Sequence, residues 1–560
     1  MAQPPSPALV RQPVEAITAL GRQMQREWRA GPIHRFVIGQ PKTDGLGISP
    51  RDLRPPDLAA GERVLAGVFT FGGETLDVGA RGEPWRCALP SRGFATALHG
   101  FGWAPDLLTA GEPGARALLR LWLEWRAVFG RHNAFAWTGM ALERRVFHFA
   151  TSAGALAPLV SDAEGATFVG DLARQARHLL SDPGDPGRAA ERAAVAALVG
   201  AGLAGRAGEG LRARATARLE RLLPETVLRD GVHASRSPER GLDLLFDLLA
   251  LDNALSQAGA PSPVEVSRAI DRLGSGVRFF TLADGRLAAF QGGGPADKAT
   301  IASGLALDPG DSTLPKSAAY GGYHRLEGKG LQLIADAGGT AADPTWAASA
   351  CAHPGALAVL VDGRRLVTGS VWAAGGGAPA QLRGPTGGSC LALGEAWPGG
   401  ARLQRGDFGE RLEVARYEAE AFRNESADAV WLDVDHGGWR AQGFEAQRRL
   451  FLDTATGELR GEDALTPVGR ARPSPIEYAI RFHLAPGVAA QIANDGKSAV
   501  LRPAGGVGWR LRGDSAAIHL SAGTVFEAGE PRSIQVLTLV GMATPTEGAR
   551  VRWKLSRDDG

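Results

Sequence analysis

A stretch in the middle of the chain gathers residue types that could move a proton next to an anion. Arg229-Asp230-Gly231-Val232-His233-Ala234-Ser235-Arg236-Ser237-Pro238 places an imidazole and a guanidinium three residues apart, just ahead of an apolar run. Histidine titrates near neutrality and can serve as base or acid. An arginine beside it can hold a carboxylate through two parallel bonds. His233 and Arg236 are therefore read as a base and a carboxylate clamp. A plainer reading uses the same residues: Asp230 with Ser235 or Ser237 caps the next helix and His233 is exposed. His353 is a second candidate, for catalysis or for a metal, or it is a satisfied structural histidine. His132-Asn133 could neutralise a carboxylate from a loop, or build a polar turn. His436, behind Asp435, could join a structural zinc, yet no His-x-His or cysteine pair accompanies it. The expectation is no metal and no other cofactor.

Other residues read more simply. Trp103, Trp122, Trp125 and Trp137 could be sugar-stacking platforms, but Trp122 and Trp125 share helical spacing with Leu118 and Leu119, which favours a core. Arg144-Arg145 and Arg448-Arg449 read as solvated faces, with Arg449 or its neighbour lining a domain interface. The three cysteines, Cys87, Cys351 and Cys390, are too scattered for a disulfide framework and read as reduced core thiols. Lys+Arg 62 against Asp+Glu 60 gives a formal net charge of +2, which excludes a protein that neutralises many phosphates, so nucleic acid is not an expected partner. No apolar run reaches the roughly 20 residues that span a bilayer. Residues 1–20 carry Arg11 and Glu15 and lack the apolar core of a signal peptide, which favours the cytoplasm.

These residues must be positioned by two unlike halves. At 560 residues, the chain exceeds the size at which a single core stops growing. Residues 1–60 read as an arm, with a helical piece at 17–28. A short hairpin follows at 69–78, turning at Gly72-Gly73. Helical spacing dominates 115–129, 142–150, 168–180, 189–203 and 211–223, and Leu242, Leu245, Phe246 and Leu249 form an i, i+3, i+4, i+7 stripe. Helix pairs joined by short loops predict a ring or stack of hairpins over 61–290. Asp284-Gly285, Gly292 to Gly294 and Pro295 then break the pattern, and 291–315 reads as a linker. From 316 to 560, short β-type runs at 330–337, 356–361, 364–371, 430–434, 450–453, 478–484 and 533–540 predict an antiparallel sandwich.

The 229–238 stretch with the helix behind it resembles the toroid motif of the heparinase II/III family. Tyr323-His324-Arg325-Leu326 with Ala335-Asp336-Ala337-Gly338 is similar to the second half of that family, as are Asp435-His436-Gly437-Gly438-Trp439 with Arg448-Arg449-Leu450-Phe451-Leu452, and Ile480-Arg481-Phe482-His483-Leu484. The early pieces 69–78 and Leu98-His99-Gly100-Phe101 match as well. The resemblance covers 61–541. It implies an incomplete (α/α) toroid joined to a β-sandwich, and a lyase that cleaves a uronate-bearing acidic polysaccharide by β-elimination. It implies His233, His353 and Tyr323 as the catalytic set, with Arg236, Asn133, His132 and His436 on the substrate side, and it favours the periplasm or envelope. Two departures stand out. The four tyrosines, Tyr320, Tyr323, Tyr417 and Tyr478, all lie outside the toroid. Where a second histidine stretch is expected, the chain reads Leu382-Arg383-Gly384-Pro385-Thr386-Gly387-Gly388-Ser389-Cys390-Leu391. The alternative is a relative that binds a glycan or envelope component without cleaving it.

Overall fold

The computed structural model describes residues 39, 43–307, 314–339, 343–374, 377–406, 409–413, 417–469, 474–514, 516–527 and 529–558. The helical piece expected at 17–28 lies outside them.

Among the described residues, the first half has the helix Leu58–Leu65 and the hairpin Val68–Phe71 with Glu74–Asp77. Its turn needs positive φ at both central residues, and Gly72 and Gly73 supply 59° and 76°. Helices then follow at Arg92–Gly100, Ala104–Leu108, Glu112–Phe129, Gly139–Leu156, Asp162–Ser181, Ala189–Gly202, Gly205–Thr226, Pro238–Gln257 and Val264–Phe280. The alanine-rich Ala189–Gly202 helix is buried along almost its whole length, because small side chains let neighbours close on it from every side. At Gly200 a Cβ would lie 2.5 Å from the Arg212 amide nitrogen, so only glycine allows the next helix to cross there. Trp103, Trp122, Trp125 and Trp137 are core residues, none more than 2% exposed. The stretch read as a linker holds a further helix, Lys298–Ala306, whose Gly304 seats against the Phe246 ring.

The second half is a two-layer antiparallel sandwich. The outer sheet runs, in spatial order, Ala419–Glu425, Ala429–His436, Phe444–Asp453, Leu459–Pro467, Ala549–Arg557, Trp509–Gly513, Ser498–Arg502 and Ala489–Ile492. The inner sheet runs Ala517–Glu527, Glu530–Ala543, Ile476–Leu484, Arg364–Thr368, Leu357–Val361, Leu331–Asp336, Tyr323–Gly328 and Ser317–Ala318, with Leu391–Leu393 added on Ile476–Leu484. The inner sheet is covered on both faces. Leu333, Leu357 and Val359 point into the sandwich, whereas Ile334, Ala358 and Leu360 belong to the same apolar cluster as the toroid helices. All five residues of Leu357–Val361 are accordingly buried. Strands covered on both faces read as unbroken apolar runs.

The structure corrects three readings of single residues. Arg145 is fully buried, bonded to Gln175 and to two backbone carbonyls, and Arg448 is 4% exposed, bonded to Asp463. Neither is a solvated face. Arg449 is exposed, but on the outer sheet, away from the toroid. Cys87 is exposed, whereas Cys351 and Cys390 are buried.

Candidate functional site

The 230–238 loop does meet the sandwich, and the contact is dense. Asp230 accepts from the Gly321 amide at 2.8 Å. Arg236 donates to the Gly321 carbonyl at 2.8 Å, to the Gly339 carbonyl at 2.5 Å and to the Asp336 carboxylate. Its guanidinium lies 4.8 Å over the Tyr323 ring, and the Tyr323 hydroxyl donates to the Arg236 carbonyl at 2.8 Å. Gln291 completes the cluster, donating to Asp336 at 3.0 Å and accepting from the Cys351 amide at 2.8 Å. Two non-glycine residues with left-handed φ, Arg236 at 63° and Gln291 at 48°, converge on this one carboxylate. Such backbone costs roughly 1–3 kcal/mol and persists only where surrounding contacts over-determine it.

Burial opposes the charge on Arg236, but the adjacent Asp336 outweighs that and raises its pKa. Burial also raises the Tyr323 hydroxyl well above its ordinary value, with Asp336 adding to the effect and Arg236 opposing it.

His233 is 1% exposed, and neither Asp230 nor either serine caps the Pro238–Gln257 helix through a side chain. The Ser235 amide donates to His233 Nδ1 at 3.1 Å, and the Ser235 hydroxyl lies 2.8 Å from the same nitrogen. A ring nitrogen that accepts from an amide carries no proton, so the proton sits on Nε2. That nitrogen is without a hydrogen-bond partner among the described residues and points towards Glu191, 4.0 Å away. Burial lowers the His233 pKa well below its ordinary value, helped by Arg240 and Arg188. The Trp346 ring stands edge-on to it at 5.5 Å.

Behind His233 a chain of buried ion pairs crosses the toroid. Arg240 binds Glu191 at 2.7 Å, Arg188 binds Glu143 at 2.6 Å, Arg144 binds Asp247 at 2.5 Å, and Arg54 reaches the same Asp247 at 3.2 Å. Glu239, on the first turn of Pro238–Gln257, accepts from the Gly294 amide at 2.8 Å, and burial pushes its pKa up to about 7. At the rim, Arg411 of the sandwich binds Asp185 of the toroid at 2.5 Å. Next to that pair Gly187 sits so near Thr345 that a Cβ would lie 2.5 Å from its carbonyl oxygen.

The structure thus joins His233, Arg236 and Tyr323 in one buried region, and the other candidates have separate partners. His353 Nε2 lies 3.0 Å from the Leu382 carbonyl, and burial lowers its pKa to about 4. Its ring packs on Gly388, where a Cβ would lie 2.6 Å from Cγ, so the Gly387-Gly388 departure makes room for this imidazole. Asn133 accepts from the Phe135 and Ala136 amides at 3.0 and 2.7 Å, which closes a local turn. His132 packs on the Trp137 and His178 rings. His436 accepts from the Gly438 amide at 3.3 Å, and burial holds its pKa at about 4. No group of three or more metal-ligating side chains occurs among the described residues. No helix among them is long and apolar enough to cross a membrane.

Sequence reasoning missed Glu191, Gln291, Asp336 and Trp346 as members of this junction. Glu191 left a readable trace, an acid in an alanine-rich helix, where a buried carboxylate demands a cationic partner.

The Heparinase II/III-like, C-terminal family model matches residues 310–554. A curated relative, FtsZ-localized protein C of Caulobacter vibrioides (strain NA1000 / CB15N), is 43% identical over 545 residues, covering 96% of this chain and 94% of its own. Among solved structures, heparinase III superposes with a TM-score of 0.72 at 13% identity, covering 98% of this chain and 92% of that one. A heparan sulfate lyase from Pedobacter heparinus gives 0.56 at 13% identity, covering 91% and 84%. Identities this low carry the fold alone. With the near full-length relative and the family match, they establish that this chain belongs to the heparinase II/III family.

Proposed function

We propose that this protein keeps the heparinase fold without cleaving glycan, and that it is a binding protein that localises with FtsZ. The state of His233 carries the reading. A general base needs a free lone pair within reach of the proton it removes. The lone-pair nitrogen of His233 is occupied by Ser235, and its other nitrogen presents a proton to Glu191. A carboxylate clamp needs an unengaged guanidinium, and Arg236 is given to Asp336 and two carbonyls. An acidic polysaccharide entering here would have to displace all of these contacts. The name of the relative from Caulobacter vibrioides supports the second half of the reading.

The test has two arms. Purified protein incubated with heparan sulfate, hyaluronan, alginate and polygalacturonate should release no ultraviolet-absorbing unsaturated uronate. Product that disappears in His233→Ala would restore the lyase. A fluorescent fusion in the native host should co-localise with FtsZ and disperse when FtsZ is depleted. A focus that persists without FtsZ would remove the second half.

A further inference from the structure

The outer sheet of the sandwich faces away from the toroid and carries a groove of about 600 Å³. Two rows of outward side chains cross five strands. One row runs Trp431, Phe451, Arg460, Lys554 and Arg512, each in register with the next. The other lies two residues along and runs Asp433, Arg449, Glu462 and Arg552, closing on Asp514, which accepts from the Arg552 amide at 3.0 Å. From strand geometry, the rows stand about 7 Å apart and extend about 19 Å. Between them the inward-facing positions Leu450, Gly461, Trp553 and Gly513 form the floor. Gly461 is required there, since a Cβ would lie 2.1 Å from the Trp553 ring.

Three properties define an occupant. The shape is a narrow trench that fits one extended chain. The lining carries Arg449, Arg460, Arg512, Arg552 and Lys554 against Asp433, Glu462 and Asp514, and Glu458 beside it holds Arg460 at 2.6 Å and Lys554 at 2.8 Å. Some of these cations are loosely held: Arg449 is divided between Asp433 at 3.6 Å and Glu462 at 3.5 Å, and Arg512 meets Asp495 at 3.8 Å. Tight charge-assisted bonds are nearer 2.7–2.9 Å. The third property is exposed aromatic surface. Trp431 is 38% exposed and meets the Phe451 ring at 5.3 Å, and Phe422, 62% exposed, is opposite Asp433 on the adjoining strand. Tryptophan and arginine together are the residues that dominate protein–protein contact energies.

We propose that this groove docks an extended acidic peptide segment of a partner protein. An apolar side chain of the segment sits beside Trp431 and Phe451, and its carboxylates face the loosely held Arg449 and Arg512. The aliphatic stems of the arginines beside Trp431 and Phe451 suit an apolar side chain, and the narrow trench suits an extended backbone. This inference is independent of whether the toroid cleaves anything.

A random 12-residue display library selected against the full-length protein tests it. Recovered peptides should be net negative and carry a large apolar residue. A labelled representative should bind at least tenfold more weakly to Trp431→Ala and to Arg512→Glu, and more weakly as salt rises. Both positions lie on the solvent face, and unchanged thermal transitions would establish that the variants fold. Recovery of basic or neutral peptides, no enrichment, or equal binding to wild type and variants overturns the proposal. Heparin binding that depends on Trp431, with no peptide enriched, assigns the groove to a glycan and overturns it as well.

Discussion

At the scale of single residues, Asp336 is the pivot of the domain junction, because among the described residues it is the carboxylate that pairs with the buried Arg236. Removing one partner of a buried pair typically costs about 3–5 kcal/mol, more than the pair contributes over an apolar replacement. Asp336→Asn should therefore lower the urea-unfolding free energy by about that amount, and a loss under about 1 kcal/mol would show that the pair is not what holds the loop. Gly388 makes a second prediction. Its φ of −113° and ψ of 149° suit any residue, so the need for glycine is purely steric. Gly388→Ala should cost about 1–3 kcal/mol through overpacking against His353. In an His353→Ala background that cost should largely vanish, and full additivity in the double-mutant cycle would refute the contact. The residue types at 230–238 were legible in the sequence. The tautomer of His233 was not, since it depends on a serine two residues on folding back to the ring. Arg236 was legible as an arginine, but its partner lies 100 residues away. Spacing cannot report such a pairing.

At the scale of elements, the toroid helices and the hairpin turn were readable because their apolar periods and paired glycines are local signals. The helix Lys298–Ala306 was missed because only Ile301 and Gly304 are buried in it, too few to mark a stripe between glycines and prolines. The inner sheet taught most. Its unbroken apolar runs mark strands in the sequence, and that both faces are covered follows from Ile334, Ala358 and Leu360 packing in the toroid cluster, a long-range contact that no local pattern encodes. That sharing makes a prediction: residues 316–560 expressed alone should expose this face, bind a hydrophobic dye and associate, whereas the whole chain should do neither. A monomeric, dye-negative sandwich would mean that the shared face is dispensable.

For the whole molecule, buried histidines set the response to acid. Burial lowers His99, His148, His353 and His436 to about 4 and His483 to about 3. Their folded values lie below the ordinary 6.5, so the stability they contribute is complete above 6.5 and is lost as pH falls towards 4. Each fully titrating site adds a slope of about 1.4 kcal/mol per pH unit. Glu239 has the opposite sign: its value of about 7 lies above the unfolded one, so its contribution is complete at low pH and is lost as pH rises through 7. The melting temperature should fall steeply below pH 6.5 and drift down as pH rises towards 7. Glu239→Gln should remove only the drift, and an unchanged profile would exclude that carboxyl as its source. The shared inner sheet also bears on how the chain is made. One apolar cluster gathers residues from Val64 to Cys390. The toroid cannot close its core when its last helix leaves the ribosome, but must wait for strands encoded up to a hundred residues later. At roughly 5–20 residues per second that wait lasts several seconds. During it a ring of helices stands with one face open, a natural client for a chaperone at the exit tunnel.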